Sequence, residues 1–247
     1  MNKIFYWSPF TAKVATVKSV INSAESINRF FKKNQFSTSI IDAVHEWKDY
    51  EEEIKEKKIE LIYLNKNSIF NSFKKDGFIR SRFAYFYIFF KSFFPLMNLL
   101  EKKKPKYLVI HLITSLPLFL FIFKNFHTKL ILRISGLPKM TFFRTLLWKL
   151  AIKNVYKITC PTLDTYKSLS KFYFLKKKLC VLNDPIININ EIQKIKDKEI
   201  IINNNIKNII LNKKFLLSIG RFTKQKNYLF YLKCIPEILK LDNDLYF

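Results

Sequence analysis

Glycine is nearly absent from this chain, with 3 in 247 residues. So few glycines exclude a turn-rich all-β sandwich, the dinucleotide-binding fingerprint and the P-loop, since the last two each need several glycines within one turn. Cysteine is equally scarce. Cys160, Cys180 and Cys234 are odd in number, far apart and without a C-x-x-C spacing or paired histidines. A disulfide framework and a metal site are therefore not expected, and a reducing compartment fits. No two carboxylates stand out as a catalytic pair, which disfavours hydrolysis. The N-terminal MNKIFYWSPF carries one lysine and a short apolar run before Ser8 and Pro9, without the apolar core of a signal peptide, so a cytoplasmic location is expected.

What is present is core-forming material: 49% hydrophobic and 17% aromatic residues. That excludes wholesale disorder, and the length suits one complete domain plus part of another. Forty-four Lys+Arg against 19 Asp+Glu give a net charge of +25. Two explanations stand side by side. A chain rich in Lys, Asn, Ile and Phe reflects A- and T-rich codons, and a cationic surface also attracts an anionic membrane face or a phosphorylated substrate. Specific nucleic-acid binding is not expected, because Lys102-Lys103-Lys104 and Lys176-Lys177-Lys178 are scattered and no recognition motif accompanies them.

Short β-branched and aromatic runs alternate with longer helical patterns, the signature of an α/β, Rossmann-like doubly wound parallel sheet. Strands are predicted near 3–7, 36–42, 59–64, 107–111, 129–134, 155–160 and 179–182, with an amphipathic helix over 12–33 built on Val14, Val17, Ile21, Ala24 and Phe31. The first lobe is expected at 1–185 and a linker at 186–212. An incomplete second Rossmann-like lobe follows at 213–247, with a strand over 214–219, a helix kinked at Pro236 and the first residues of a further strand at 244–247. Residues 107–123 hold no charged side chain and just reach the ~17 residues that span a bilayer. Thr114, Ser115 and Pro117 interrupt them where a strand should turn into a helix, and Lys91 and Pro95 interrupt the similarly apolar 83–100. A strand followed by a buried or membrane-facing helix at 116–123 is the preferred reading, with a spanning, non-catalytic membrane protein as the alternative.

In an open parallel sheet, ligands bind beyond the carboxyl ends of the strands. Ser8, Lys13 and Thr16 follow the first strand, His111 the fourth, and Arg133, Ser135 and Gly136 the fifth. The loops 8–16, 111–115 and 133–138 are expected to line one crevice. His111 also reads as a hydrogen-bonded core histidine, Arg133 as a solvated strand-end charge and Cys160 as a small buried hydrophobe. In the second lobe, Gly220 ends an apolar run, Arg221 follows, and Lys226 stands at the opening of a helix. A guanidinium and an ammonium beside free helix amides suit a diphosphate, although an exposed basic turn has the same spelling.

With the Ser-Pro loop, His111, Cys160-Pro161-Thr162, Asn183 and Pro185 in this order, and Gly220-Arg221 and Lys226-Asn227 after an apolar run beyond them, the chain resembles the retaining, metal-independent glycosyltransferases of the GT-B fold, family 4. The resemblance implies a hexosyltransferase without a cofactor, in which Arg221 and Lys226 bind the diphosphate of a nucleotide-sugar donor and His111 lies near the reacting sugar. It implies a glycan or lipid-linked acceptor on the first lobe, as in lipopolysaccharide or surface-polysaccharide assembly on the inner face of the cell membrane. Two departures stand out. Lys13 and Ala15 occupy a stretch that is glycine-rich in many members, and the family's E-x7-E element, which holds the donor sugar, falls later than residue 247. Activity of the chain by itself is therefore expected to be impaired.

Overall fold

The computed structural model describes residues 2–12, 14–31, 35–65, 78–196, 203–220, 222 and 224–247. They divide into two compact units, Met1–Asn188 and Ile189–Phe247.

The first unit carries one sheet of seven parallel strands: β1 (Asn2–Trp7), β2 (Phe36–Asp42), β3 (Glu60–Tyr63), β4 (Tyr107–Ile110), β5 (Lys129–Arg133), β6 (Val155–Cys160) and β7 (Leu179–Val181). Their spatial order is β3-β2-β1-β4-β5-β6-β7, so the winding reverses between β1 and β4. All seven predicted strands are present, and the fold is a Rossmann-like, doubly wound α/β sheet. The central strands read as near-continuous apolar runs because both faces are covered. On one face Ile4, Tyr6, Ile40 and Val109 pack with Val17, Val20, Ile21 and Ala24 of α1 (Ala15–Phe30) and Ile54 of α2 (Glu51–Glu56). Val14, at the start of α1, offers no side-chain acceptor to the free amides, so packing of that apolar face holds the helix.

On the other face Phe5, Trp7, Leu108, Ile110, Leu130 and Leu132 meet α3 (Phe78–Lys103), α4 (Ser115–Phe123), α5 (Phe142–Ala151) and α6 (Leu163–Ser170). The apolar stretch over 83–100 is one continuous helix through both Lys91 and Pro95. Ala84, Ile88, Ser92, Leu96 and Leu100, spaced four apart, are buried, and that packing offsets the hydrogen bond the proline removes. The two halves of 107–123 do different work. Tyr107–Ile110 pairs with β1 and β5 in mid-sheet, which rules out a continuous span there. Of the two readings of 116–123, a buried or a membrane-facing helix, most of its side chains follow the first, with Phe119 and Phe123 exposed. Leu116, Pro117, Leu118, Leu120 and Phe121 are buried, since α4 packs between α3 and α5 and needs apolar residues nearly all round.

The second unit contains α7 (Ile189–Lys196), α8 (Asn204–Asn212) and α9 (Tyr228–Leu241). The segment read as a linker, 186–212, thus carries two helices. The strand predicted over 214–219 is reduced to one parallel bridge between Phe215 and Tyr246, closed by Leu216 N–H to Tyr246 O at 2.9 Å and Tyr246 N–H to Lys214 O at 2.9 Å. A strand needs neighbours on which to build a ladder, and none of the described residues in this unit is buried. The helix predicted after it is present and runs through Pro236.

Candidate functional site

The reversal of winding leaves the ends of β1 and β4 open to a cavity of about 360 Å³. Pro9, Phe10, Thr11, Ala12 and Val14 wall it from the β1 side, Leu112 and Ile113 from the β4 side, and Arg82 and Tyr85 from α3. Two of the three loops expected to share a crevice line it, and the loop 133–138 does not. The Trp7 indole N–H donates to Ile113 O at 2.7 Å, and the Tyr85 hydroxyl meets Ser115 Oγ at 2.5 Å, which fixes the far wall to the sheet and to α3. Leu112 itself is held at φ 53°, a left-handed conformation that costs a leucine about 1–2 kcal/mol. Strain of this kind persists where surrounding contacts over-determine the backbone.

Directly behind the wall lies a row of buried polar side chains: Ser8 after β1, His111 after β4, Arg133 ending β5 and Thr159 on β6. Register explains the row, because Trp7 stands opposite Ile110, Ile110 opposite Leu132, and Arg133 opposite Thr159. His111 is wholly buried and its backbone N–H donates to Trp7 O at 2.8 Å, yet neither ring nitrogen has a hydrogen-bond partner. It is thus a core histidine without the hydrogen bond that reading required. Burial, and secondarily the Arg133 guanidinium, hold its pKa well below 6.5, so the ring is neutral at pH 7. The Ser8 hydroxyl is likewise unpartnered.

Arg133 is not a solvated charge. Its Nε and Nη2 donate to Asp184 Oδ1 at 2.9 and 2.6 Å, and its Nη1 to Ser23 Oγ at 3.0 Å. Ser23 Oγ also meets the Tyr6 hydroxyl at 3.1 Å, and burial raises the Tyr6 pKa. These donors are spent on tying β5, α1 and the segment after β7 together, which removes Arg133 from the groups free to meet an anion. Asn22 Nδ2 adds a bond to Pro185 O at 2.9 Å, and Asn183 Nδ2 one to Pro161 O at 2.9 Å. Thr162 caps α6 by accepting from Thr165 N–H at 3.1 Å, and Cys160 is fully buried.

Of the other sequence candidates, Thr16 is half-buried in the first turn of α1, and Ser135 and Gly136 are exposed. Gly136 has open space where a Cβ would point, so nothing there requires glycine. Lys13 and Arg221 lie outside the described residues. Gly220 and Lys226 are brought together: a Cβ on Gly220 would sit 3.1 Å from Lys226 Cε and 3.1 Å from the Tyr228 hydroxyl. Lys226 is exposed and closes the 3-10 turn Lys224–Lys226, one residue before Asn227 takes φ 52° and α9 begins.

One cluster escaped the sequence reading. Glu46 accepts from Ala43 N–H at 3.1 Å and Val44 N–H at 2.8 Å, while Asp42 Oδ1 accepts from His45 N–H at 2.5 Å. Burial first, then the Asp42 charge and a hydrogen bond to Asp42, push the Glu46 pKa well above the carboxylate range. That shift favours the protonated form of Glu46. Trp47 follows and packs edge-on against Phe10 at 5.1 Å, so the pair braces a wall of the cavity. The available signal was an acid ending a strand, with a second acid four residues later. Among the described residues no group of three His, Cys, Asp or Glu side chains is placed to hold a metal ion.

No protein-family model and no curated protein matches the sequence. Solved structures do. The chain is similar to the UDP-GlcNAc 2-epimerase of Neisseria meningitidis bound to UDP-GlcNAc, at 14% identity and TM-score 0.56 over 87% of this chain and 56% of that one. It is similar to the S. aureus MnaA-UDP co-structure at 13% identity and TM-score 0.57, over 100% of this chain and 62% of that one. A putative UDP-N-acetylglucosamine 2-epimerase from Listeria monocytogenes gives 13% identity and TM-score 0.59, over 100% and 63%. The chain therefore spans 56–63% of the length of these three structures. The likeness is one of fold and establishes a GT-B-like architecture, while the family 4 assignment gains no support from it.

Proposed function

We propose that this chain belongs to a glycosyltransferase that moves a sugar, with retention and without a metal, from a nucleotide-sugar to a lipid-linked or surface-glycan acceptor at the inner face of a membrane. Lys226 lying against Gly220 is the observation that carries the reading, because the missing Cβ is what lets the ammonium stem cross the end of the apolar run. Two of the three fold neighbours named above were solved with UDP or UDP-GlcNAc, which supports a nucleotide-sugar as the ligand class.

The chemistry assigns each unit a task. Lys226, with Arg221 beside it in sequence, offsets the charge that grows on the departing nucleotide, and one such donor is commonly worth ~10²–10³ in rate. The cavity between the β1 and β4 loops takes the acceptor; His111, which the resemblance puts near the reacting sugar, is buried next to the Leu112–Ile113 wall and is not among the residues that line it. Arg133 and Asp184 join the end of β5 to the segment after β7 and are assigned no contact with substrate.

Epimerisation is the competing reading, favoured by the descriptions of the neighbours. The test uses the protein in stoichiometric amount, with radiolabelled UDP-hexoses and UDP-N-acetylhexosamines and a lipid-linked acceptor extract. Label appearing in the lipid with its anomeric configuration retained is expected. Because the chain by itself is expected to be impaired, trace label is sufficient support, and a C2-epimerised nucleotide-sugar, or lipid-linked label of inverted configuration, overturns the proposal.

A further inference from the structure

Helix α3 has an outward face that a soluble protein does not ordinarily present. Its inward stripe, from Ala84 to Leu100 at every fourth position, is buried in the core. The opposite stripe is Phe83, Phe86, Phe90 and Phe94, exposed to 70%, 56%, 70% and 64%. The spacings of three, four and four residues keep these rings on one line about 16 Å long, at 1.5 Å per residue. Phe119 of α4, packed on Phe89 at 6.0 Å and on Phe93 at 6.2 Å, and the exposed Phe123 at 4.6 Å from Phe119, widen the apolar surface on one flank. Isolated exposed apolar residues need no explanation, but a contiguous aromatic stripe does.

The charge around the stripe says what covers it. Residues 78–104 contain six Lys and Arg and one acid, Glu101, which is paired with Lys124. At 100° per residue Lys91 and Lys102 fall on the flank opposite α4, and Lys102, Lys103 and Lys104 close the C-terminal end. A row of phenylalanines edged by lysines, on a chain of net charge +25, is complementary to an anionic bilayer: rings enter the acyl boundary while ammonium groups meet the headgroups. Phenylalanine is common at protein interfaces too, but lysine is depleted there, whereas lysines edge this stripe. The segment Arg82–Lys103 is long and apolar enough to cross a membrane, at mean hydropathy 1.3. Its inward stripe is committed to the sheet, which leaves only half the helix for lipid.

We infer that α3 docks the protein on an anionic membrane surface, lying in the plane of the interface with Phe83, Phe86, Phe90 and Phe94 inserted. This rests on the membrane-face part of the proposed function and centres the contact on α3, with Phe119 and Phe123 of α4 at its flank.

The test is co-sedimentation of the whole chain with vesicles of phosphatidylglycerol and phosphatidylcholine, or of phosphatidylcholine alone, with nucleotide binding followed in the same samples. Binding is expected on the anionic vesicles and is weakened by salt. Replacing Phe83, Phe90 and Phe94 together by Ser is expected to lower partitioning about tenfold or more, whereas Phe30→Ser, an exposed ring on α1, leaves it unchanged. A Phe90→Trp variant gives a readout without disruption: its emission should shift blue and be quenched by brominated lipid, while the buried Trp7, Trp47 and Trp148 stay unquenched. Unaltered partitioning of the triple variant, or an unquenched Trp at position 90, overturns the inference. So does a dimer of the wild-type chain that the triple variant dissolves, since a second copy would then be the occupant. Loss of vesicle binding with nucleotide binding intact separates this inference from the function proposed above.

Discussion

Arg133 and Asp184 stand 51 residues apart in the chain and share two hydrogen bonds, Nε and Nη2 to a single carboxylate oxygen, at 2.9 and 2.6 Å. Their side chains are 4% and 12% exposed, so the pair is nearly dry and joins the end of β5 to the segment after β7. Removing one partner leaves the other charge buried without compensation, which typically costs about 3–5 kcal/mol. Asp184→Ala should lose stability in that range by urea denaturation. The double variant Arg133→Met/Asp184→Leu should recover most of it, because replacing both charges by apolar groups is often neutral. Equal losses in the single and double variants would contradict the pairing.

His111 and Glu46 bend the pH profile in opposite directions. The folded pKa of His111 is depressed, chiefly by burial, so its contribution is fully present above pH 6.5 and is lost as pH falls toward the folded value. The folded pKa of Glu46 is raised, chiefly by burial, so its contribution is fully present below pH 4.5 and is lost as pH rises toward the folded value. Each proton changes stability by up to about 1.4 kcal/mol per pH unit within its window. His111→Leu should flatten the fall in unfolding free energy on the acid side of pH 6.5, and Glu46→Gln should flatten the fall above pH 4.5. Parallel profiles for wild type and variants would refute the assignments.

Leu112 at φ 53° should tolerate glycine better than a buried position tolerates alanine. Relief of about 1–2 kcal/mol of backbone strain opposes the loss of a partly exposed side chain and the greater entropy of glycine in the unfolded chain. Leu112→Gly is thus expected within about 1 kcal/mol of wild type, while Leu112→Val, β-branched, is expected to cost more than the glycine variant. Thermal unfolding of the two variants side by side decides it.

Where the chain dictates structure locally, the sequence alone was enough to read it. All seven strands of the first unit could be read because each is a short apolar run, the central ones covered on both faces, and the order of loops then placed Ser8 and His111 at neighbouring strand ends. Long-range chemistry could not. Nothing near Arg133 announces Asp184, and nothing near Asp42 announces that burial raises the pKa of Glu46. Composition also misplaced one surface. An all-round apolar helix suits both a lipid face and a helix sandwiched between others, and most of α4 is the second while Phe119 and Phe123 stay exposed, whereas the outward phenylalanines of α3 were hidden among apolar residues that fill the core. The strand expected over 214–219 shows the remaining limit, since an apolar run becomes a strand only where a ladder partner exists.

The most direct measurement of the central claim is calorimetric titration of the protein with uridine, UMP, UDP and a UDP-sugar. If Lys226 and Arg221 grip a diphosphate, affinity should rise at least tenfold from UMP to UDP, as expected for charge-assisted bonds of about 1.5–3 kcal/mol each. That gain should disappear in Arg221→Ala/Lys226→Ala and shrink in Gly220→Ala, whose Cβ would press on Lys226 Cε. Equal affinity for uridine, UMP and UDP, or a diphosphate gain that survives the double substitution, would contradict the account.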